Sequence, residues 1–242
     1  MMIDEFPQAI ENIEQELNER EARQFLYANR EFRLITTDKF KFLYTGSIGL
    51  FPLTEKLGAS DAINDLNTVE IEALELDEAK QMVKNILQNV KVPFQEEAIH
   101  FLVEKVGWNI PFHLQLVIQE LIDIYEDEEK ELGITHIDKA MRELCGKKND
   151  IYFEHYYKRL EEAFQGNEQD FVFSLLKTLA LNEPLNKEAI QQLALEKGLE
   201  RYRPILSSLE YDGYIFCSNV TDDPTYQFTS PIIKMWWKKT QC

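Results

Sequence analysis

The sequence predicts a mostly α-helical protein with a small piece of parallel sheet at its start, a helical bundle in its middle, and three helices with a two-stranded ribbon at its end. Three observations lead to this prediction. An apolar start, Met1-Met2-Ile3, runs directly into two acids and a proline. Apolar residues then recur at helical intervals over most of the chain. Turn residues next to short aromatic and β-branched runs gather near the end, at Gly213 and at residues 222–224.

The first 46 residues predict two strands joined by a helix. Residues 1–6 form an apolar run that ends in acids, which is typical of a buried parallel strand delivering Asp4 and Glu5 to its carboxyl edge. Residues 8–35 have helical apolar spacing without Gly or Pro, so they predict one long helix. Residues 40–46, FKFLYTG, are short and aromatic-rich and predict a second buried strand.

The middle of the chain predicts a helical bundle of roughly 90 residues, a size sufficient for a small core of its own. Residues 68–71, TVEI, predict a short strand before it. Four helices follow, because each segment carries one apolar face and a plausible start or stop signal. They begin near Asp77, run from Gln95 to Gly107, run from Pro111 to about Tyr125, and run from Ile134 to Leu144.

The last part of the chain predicts a winged helix-turn-helix. A helix over residues 150–164 leads to Gly166-Asn167, which has the composition of a linker. Three helical segments then precede two short strands, at residues 214–217 and 225–228, and this order is that of a winged helix. Residues 222–224, Asp-Asp-Pro, are expected at the tip of the wing.

Composition narrows the class of protein. Acids outnumber bases 43 to 26, which gives a net charge of −17 and disfavours nonspecific binding to nucleic acid. No apolar run reaches the roughly 18 residues needed to span a bilayer, so no membrane association is expected. The N-terminus lacks the basic residues of an export signal, and three widely spaced cysteines indicate a reducing compartment. We therefore expect a cytoplasmic protein.

Several segments, taken in order, resemble the AAA+ ATPases of prokaryotes that are grouped with signal-transduction (STAND) NTPases, including archaeal-type ATPases. MMIDEFPQAIENI resembles their Walker B strand and the helix after it, and KFLYTGSIGL resembles their first sensor strand. VEIEALELDEAKQMV resembles the entry to the lid, and VGWNIPFHLQLVIQEL resembles the lid motif near the bound base. The tail resembles the winged helix that closes such ATPases, so the likeness covers nearly all 242 residues.

The resemblance implies a fold: a remnant of an α/β P-loop NTPase sheet, then a helical lid bundle, then a winged helix. The corresponding domains are residues 1–72, 73–166 and 167–242. It also implies ATP and Mg²⁺ as cofactors. Two residues beside the sensor strand, Thr45 and Ser47, are the candidates for contacting the γ-phosphate.

Asp4 takes the metal-binding role in this resemblance, because Mg²⁺ prefers carboxylate and water oxygens. Glu5 takes the role of the base that orients or deprotonates the attacking water. Pro111, together with Gly107, is implied near adenine, although Pro111 also suits the first turn of a helix. An arginine finger could be Arg30 or Arg33, but a surface or helix-packing role is the favoured explanation for either residue.

The sequence lacks the P-loop pattern GxxxxGK[ST] that such ATPases need to hold phosphate. Gly146-Lys147 has neither the upstream Gly nor the Ser or Thr, and we interpret it as a helix end. The chain is thus expected to be the C-terminal portion of such an ATPase, truncated or split from a P-loop half. Alone it should not bind ATP and Mg²⁺ tightly or hydrolyse ATP.

Two other functions stay open. The chain could be a nucleotide-independent module whose winged helix and acidic lid bind a partner protein. A winged-helix DNA binder is a weaker alternative, because the expected recognition helix begins with Arg201 and Arg203 but continues to Glu210 and Asp212. We therefore expect either a protein partner or the missing P-loop half, and regard nucleic acid as an unfavoured partner.

Overall fold

The computed structural model describes residues 1–46, 49–69, 71–219 and 223–242, and these residues form two compact units, Met1–Glu70 and Ile71–Cys242. The described residues are mostly helical with two small sheets, as the sequence predicts. No helix among them is both long enough and apolar enough to cross a membrane.

The first unit contains a two-stranded parallel sheet. Strand β1 (Met2–Ile3) lies beside β2 (Leu43–Tyr44), with Met2 opposite Leu43 and Ile3 opposite Tyr44. Backbone hydrogen bonds extend the pairing on both sides, since Leu43 N donates to Met1 O and Thr45 N donates to Ile3 O. The helices of this unit are α1 (Phe6–Glu16), α2 (Glu19–Ile35) and α3 (Leu50–Lys56), followed by a 3₁₀ turn at Ser60–Ile63.

The elements of the first unit are shorter than predicted. Strand β1 ends at Ile3 rather than at residue 6, because Pro7 sits in the first turn of α1, where its fixed φ favours a helix. The long helix predicted over residues 8–35 is two helices. Asn18 separates them, and its side chain accepts a hydrogen bond from Glu21 N at 3.1 Å as the N-cap of α2. Likewise, β2 covers only part of the strand predicted over residues 40–46.

The short strand predicted over residues 68–71 is wrong for the residues that the structure describes there. Thr68, Val69 and Ile71 adopt no strand pairing, and Glu70 lies outside the described residues. Val69 is 77% exposed and Ile71 95% exposed. Thr68 is exposed as well, so all three β-branched side chains that favoured a strand are turned to solvent instead of packing on a sheet.

The first part of the second unit holds the four predicted lid helices. They pack through apolar faces that begin at Ala79 and continue through Leu144 in one continuous core. Each helix starts and ends within a few residues of the prediction, because each carries a single strong apolar stripe. The helices are α4 (Leu76–Asn89), α5 (Glu96–Val106), α6 (Pro111–Glu128) and α7 (Ile134–Leu144).

The rest of the second unit begins with a 3₁₀ segment, Lys147–Tyr152, and helix α8 (Glu154–Ala163), where the sequence predicts one continuous helix. A three-stranded antiparallel sheet follows with the order β3-β5-β4. Strand β3 was not predicted. The elements are α9 (Asn167–Asn182), β3 (Leu185–Asn186), α10 (Lys187–Glu196), α11 (Arg203–Tyr211), β4 (Ile215–Ser218), β5 (Thr225–Phe228) and α12 (Pro231–Thr240).

One core joins the lid helices to the C-terminal region, residues 167–242. Trp236 and Trp237 on α12 are 2% and 0% exposed, so the KMWWKK segment packs its indoles inward. Phe153 stacks on Trp236, and Trp236 Nε1 donates to Asp150 Oδ1 at 3.0 Å. Tyr157 on α8 also contacts Trp237. The division of this unit into lid and winged helix stays a prediction, because its core is continuous.

Candidate functional site

The parallel pairing of β1 and β2 brings two of the predicted site residues into contact. Asp4 follows β1, Thr45 follows β2, and Thr45 Oγ1 donates a hydrogen bond to Asp4 Oδ1 at 2.5 Å. Asp4 Oδ1 also accepts from Glu5 N at 3.1 Å. Within the described residues, Asp4 Oδ2 accepts no hydrogen bond. Two hydrogen bonds therefore orient the carboxylate of Asp4, which is an exposed residue.

Glu5 occupies the turn between β1 and α1. Its backbone lies in the left-handed region, with φ 51° and ψ 35°. Residues other than glycine, asparagine and aspartate seldom adopt this conformation. Phe6 N donates to Thr45 O at 3.1 Å immediately after this turn, so the second strand anchors it. The turn places two neighbouring exposed carboxylates at the carboxyl edge of the sheet.

The two carboxylates fit one part of a magnesium site. Mg²⁺ in phosphate-transfer sites is bound by one or two carboxylates, with waters and substrate phosphates completing its shell. Asp4 would supply one such carboxylate, and Glu5 is the neighbouring acid that would act on water. No cluster of three or more metal-binding side chains occurs in the part of the chain that is described. Ser47, the other predicted phosphate contact, lies outside the described residues.

Arg33, one of the two residues weighed as an arginine finger, is a structural residue of the first unit. It is 5% exposed, and its guanidinium donates to both Asp65 oxygens, at 2.9 and 2.7 Å. It also donates to Ala62 O at 2.7 Å. The hydrogen bonds from Arg33 hold the pKa of Asp65 below its ordinary value. Arg30 donates to Asn64 Oδ1 at 2.9 Å on the same loop.

The lid motif contributes Gly107 and Pro111, both in the second unit. Gly107 ends α5 with φ +70°, and Pro111 is the exposed first residue of α6. Gly107 is close to Pro231 of the C-terminal region: a Cβ at residue 107 would lie 2.9 Å from Pro231 Cγ. The glycine is thus required for the packing of α12. The predicted contact of both residues with adenine, and their grouping with Asp4, stay predictions.

His113, two residues after Pro111, is a buried residue that the sequence did not single out. It is fully buried, with Nδ1 3.2 Å from Ser230 Oγ and Nε2 3.5 Å from the Tyr156 hydroxyl. Burial lowers its pKa to about 4, and the charge of nearby His155 adds to the shift. The only sequence signal was a histidine on the apolar face of a predicted helix, which resembles an ordinary core position.

The Gly146-Lys147 segment is a helix end, as interpreted from sequence. Gly146 N donates to Glu143 O at 2.8 Å after α7, and a 3₁₀ turn follows. Lys148 forms an ion pair with buried Glu120 at 3.0 Å, and Asn149 donates to the same carboxylate at 2.9 Å. These bonds neutralise a charge inside the lid, which is a structural role.

Helix α11, which the sequence analysis expects to be the recognition helix, has mixed charge. A cavity of about 270 Å³ lies along it, with Lys187, Arg203 and Glu210 in its lining. Burial raises the pKa of Glu210. Glu210, near the end of α11, is an acid in the lining of this cavity, and it weakens the match of the helix to a phosphate backbone, for which a DNA-reading helix would carry a basic stripe.

Comparison with known proteins identifies the fold. No protein-family model matches the sequence, and no curated protein is significantly similar to it. The structure is similar to a Walker-type ATPase of Pyrococcus abyssi, with 16% identity, a TM-score of 0.67, and coverage of 97% of this chain and 61% of that chain. The RuvB Holliday junction branch migration motor of Thermotoga maritima has a TM-score of 0.45 and 17% identity, with coverage of 90% of this chain and 64% of that one.

The chain therefore spans about 61% of the length of the Walker-type ATPase that it resembles. Its mostly helical architecture with a small parallel sheet is consistent with the C-terminal part of an AAA+ ATPase fold, which confirms the predicted fold class. At 16% identity the likeness concerns the fold, and the activity has to be argued from the residues themselves.

Proposed function

We propose that the chain is the C-terminal portion of an ATP-binding AAA+ ATPase of the STAND type, which couples the state of a bound nucleotide to a winged-helix output region. The observation that supports this proposal most directly is the contact between Asp4 and Thr45 across two parallel strands. In a parallel sheet, ligands bind at the carboxyl ends of the strands, where this pair lies.

The proposed roles follow from the chemistry of each residue. Asp4 holds Mg²⁺ through its second carboxylate oxygen, and Thr45 fixes the carboxylate while presenting a hydroxyl toward the γ-phosphate. Glu5 orients the attacking water or accepts its proton. Ser47 is proposed as a second phosphate contact. When bound, Mg²⁺ would neutralise charge on the phosphates, so both acids serve phosphoryl transfer.

For the second unit, we propose that Gly107 and Pro111 lie near the adenine of the bound nucleotide. Pro111 is exposed at the start of α6, so its ring is accessible. We further propose that residues 167–242 act as a winged helix. Their order of three helices, two antiparallel strands and a closing helix supports this assignment.

The 242 residues contain no P-loop, which is the element that binds the phosphates in such ATPases. Since P-loop amides and lysine provide most of the binding energy for phosphate, the 242 residues alone should bind Mg²⁺-ATP weakly and hydrolyse none. We propose that a P-loop half, in the same polypeptide or in a partner protein, completes the site in the cytoplasm. The exposed apolar side chains of the first unit, among them Met2 and Leu43, support such an association.

The same exposed side chains are also the observation that favours the alternative function, a nucleotide-independent module that binds a partner protein. DNA binding is less favoured, because Glu210 lies within the face of α11 that would meet the duplex.

The decisive experiment is Mg²⁺-ATP titration and turnover, measured for the 242-residue chain and for a protein extended by the coding sequence that precedes Met1. We expect weak binding without turnover by the chain alone, and binding with turnover by the extended protein. In the extended protein, Glu5→Gln should lower turnover about 10²–10⁴-fold with binding retained. Asp4→Asn should weaken the response to Mg²⁺.

Asp38→Asn, a change at another exposed acid of the first unit, is the matched control and should leave both measurements unchanged. Turnover by the 242-residue chain that Glu5→Gln abolishes would refute the claim that the chain needs a separate phosphate-binding half. An extended protein that neither binds nor hydrolyses ATP would favour the interaction module.

A further inference from the structure

The segment of residues 106–113, here called the docking segment, connects α5 to α6 and packs against the C-terminal region by close backbone contacts. A Cβ on Gly107 would lie 2.9 Å from Pro231 Cγ at the start of α12. On the other side, a Cβ on Gly213 would lie 3.0 Å from Trp108 Cη2. Both glycines also have positive φ, +70° and +74°, a backbone conformation that favours glycine. Each position therefore requires glycine for two reasons, the close approach of a neighbour and the backbone conformation.

His113 adds a polar contact to the same interface. Ser230 Oγ accepts a hydrogen bond from Ile233 N at 3.2 Å as the N-cap of α12, and it also lies 3.2 Å from His113 Nδ1. The other ring nitrogen, Nε2, lies 3.5 Å from the Tyr156 hydroxyl. One buried side chain thus joins the first turn of α6, the first turn of α12, and α8.

The covalent connection between the two regions passes through Gly166, and Gln169 Nε2 on α9 donates across it to Glu161 O at 3.1 Å and Phe164 O at 3.0 Å. Gly166, between α8 and α9, has φ +57°, and no heavy atom lies within 4 Å of where its Cβ would be. The lid and the C-terminal region are therefore joined both by this short connection and by the packed interface of the docking segment.

We propose that His113 is a positioning residue that fixes the docking segment to α12, so that the start of α6 and the C-terminal region move as one body. This inference rests on the proposed function in one respect: Pro111 is the residue that would sense the nucleotide. A change of nucleotide state would then reach the C-terminal region through the docking segment.

The test is a double-mutant cycle in the 242-residue chain without nucleotide, with His113→Phe, Ser230→Ala and the double variant measured by urea unfolding. Each single change should raise the unfolding equilibrium constant, and the double change should raise it about 5-fold less than the product of the two. Loss of the N-cap occurs in both Ser230→Ala backgrounds, so it cancels from the coupling. Ser230→Thr, which keeps the hydroxyl, should restore the coupling.

Hydrogen exchange gives the readout that distinguishes positioning from simple stabilisation. In either single variant, amides in the first turns of α6 and α12 should exchange faster together. An insertion of Gly-Ser after Gly166 should leave both turns unchanged, and so should the control His100→Gln, at an exposed histidine of α5. If His113→Phe does not fold, His113→Gln replaces it in the cycle.

Additive unfolding effects, or faster exchange confined to the substituted helix, would overturn the proposal. Loosening of both turns by the Gly166 insertion would overturn it as well. Because none of these measurements contains ATP, failure of the docking proposal is distinguishable from failure of Mg²⁺-ATP to bind the extended protein.

Discussion

The two units of the molecule differ in how much apolar surface each one buries for itself. In the second unit, 43 described residues form one buried hydrophobic cluster that includes two tryptophans. In the first unit the corresponding cluster has eight described residues, three of them alanine. The first unit also exposes more large apolar side chains than it buries. Since burial of apolar surface is the main stabilising term in folding, the second unit is self-sufficient and the first unit depends on further contacts.

The largest expected effect tests this contrast directly. Trp237→Ala should cost the second unit about 3–5 kcal/mol in free energy of unfolding, because it leaves a cavity in a closed core. Phe6→Ala removes a similarly buried ring from the first unit. The first unit has little stability to lose, so this change should abolish its unfolding transition and leave that of the second unit in place.

Urea unfolding followed by circular dichroism and by tryptophan fluorescence measures both variants, since tryptophan occurs only in the second unit, at Trp108, Trp236 and Trp237. A single shared transition that shifts equally in both variants would show that the units fold cooperatively, and the contrast would then be false.

The two units should also differ in how their stability depends on pH. His113 has a pKa of about 4 in the folded second unit and an ordinary value of 6.5 when unfolded. Between these values the unfolded chain binds the extra proton, so stability falls as pH falls, by about 3 kcal/mol in total. Besides Ser230, the groups that face His113 are His155 and Tyr156 on α8.

The first unit should begin to lose stability only at a lower pH than the second unit. Asp65 has its pKa lowered by Arg33, so its contribution is complete above the ordinary value of 3.8 and disappears as pH falls below it. Unfolding measured from pH 7 to pH 3 should therefore show the second unit weakening first. In His113→Phe, the slope of stability between pH 6.5 and 4 should become shallower; an unchanged slope would assign it to other groups.

The smallest expected effect on stability concerns the exposed face of the sheet. Met2 and Leu43 are opposite each other in β1 and β2 and are 63% and 52% exposed. Replacing both with threonine should change the free energy of unfolding by less than about 0.5 kcal/mol, because neither side chain is in the core. Self-association, measured by light scattering at increasing concentration, should decrease.

Leu195→Gln is the matched control, since Leu195 is 57% exposed but belongs to the second unit. If it lowers association as much as the double change at the sheet, general surface hydrophobicity explains the result, and the sheet face has no special role.

Sequence patterns predicted the second unit better than the first for a physical reason. A helix such as α7 carries its apolar stripe within eleven residues, so its bounds, Ile134–Leu144, can be read from local periodicity. The ends of β1 and the break before α2 depend on single residues, Pro7 and Asn18, whose local effects override the apolar pattern.

Long-range contacts were beyond sequence reasoning altogether. The Arg33–Asp65 ion pair joins residues 32 apart, and the His113–Ser230 contact joins residues 117 apart. The meeting of Asp4 and Thr45, 41 residues apart, was implied only by the resemblance to a known sheet. No local pattern identifies these partners, because the tertiary fold determines which polar groups lie within hydrogen-bonding distance of each other.

The two glycines of the lid interface limit how modular the molecule can be. Gly107 leaves space for the side chain of Pro231, and Gly213 leaves space for the side chain of Trp108. Each region therefore has a glycine where a side chain of the other region packs. In a chimera, a foreign C-terminal region with a side chain at the position of Gly213 would clash with Trp108 of this lid. Replacement of the C-terminal region should therefore be tolerated better when residues 106–113 are transplanted together with it.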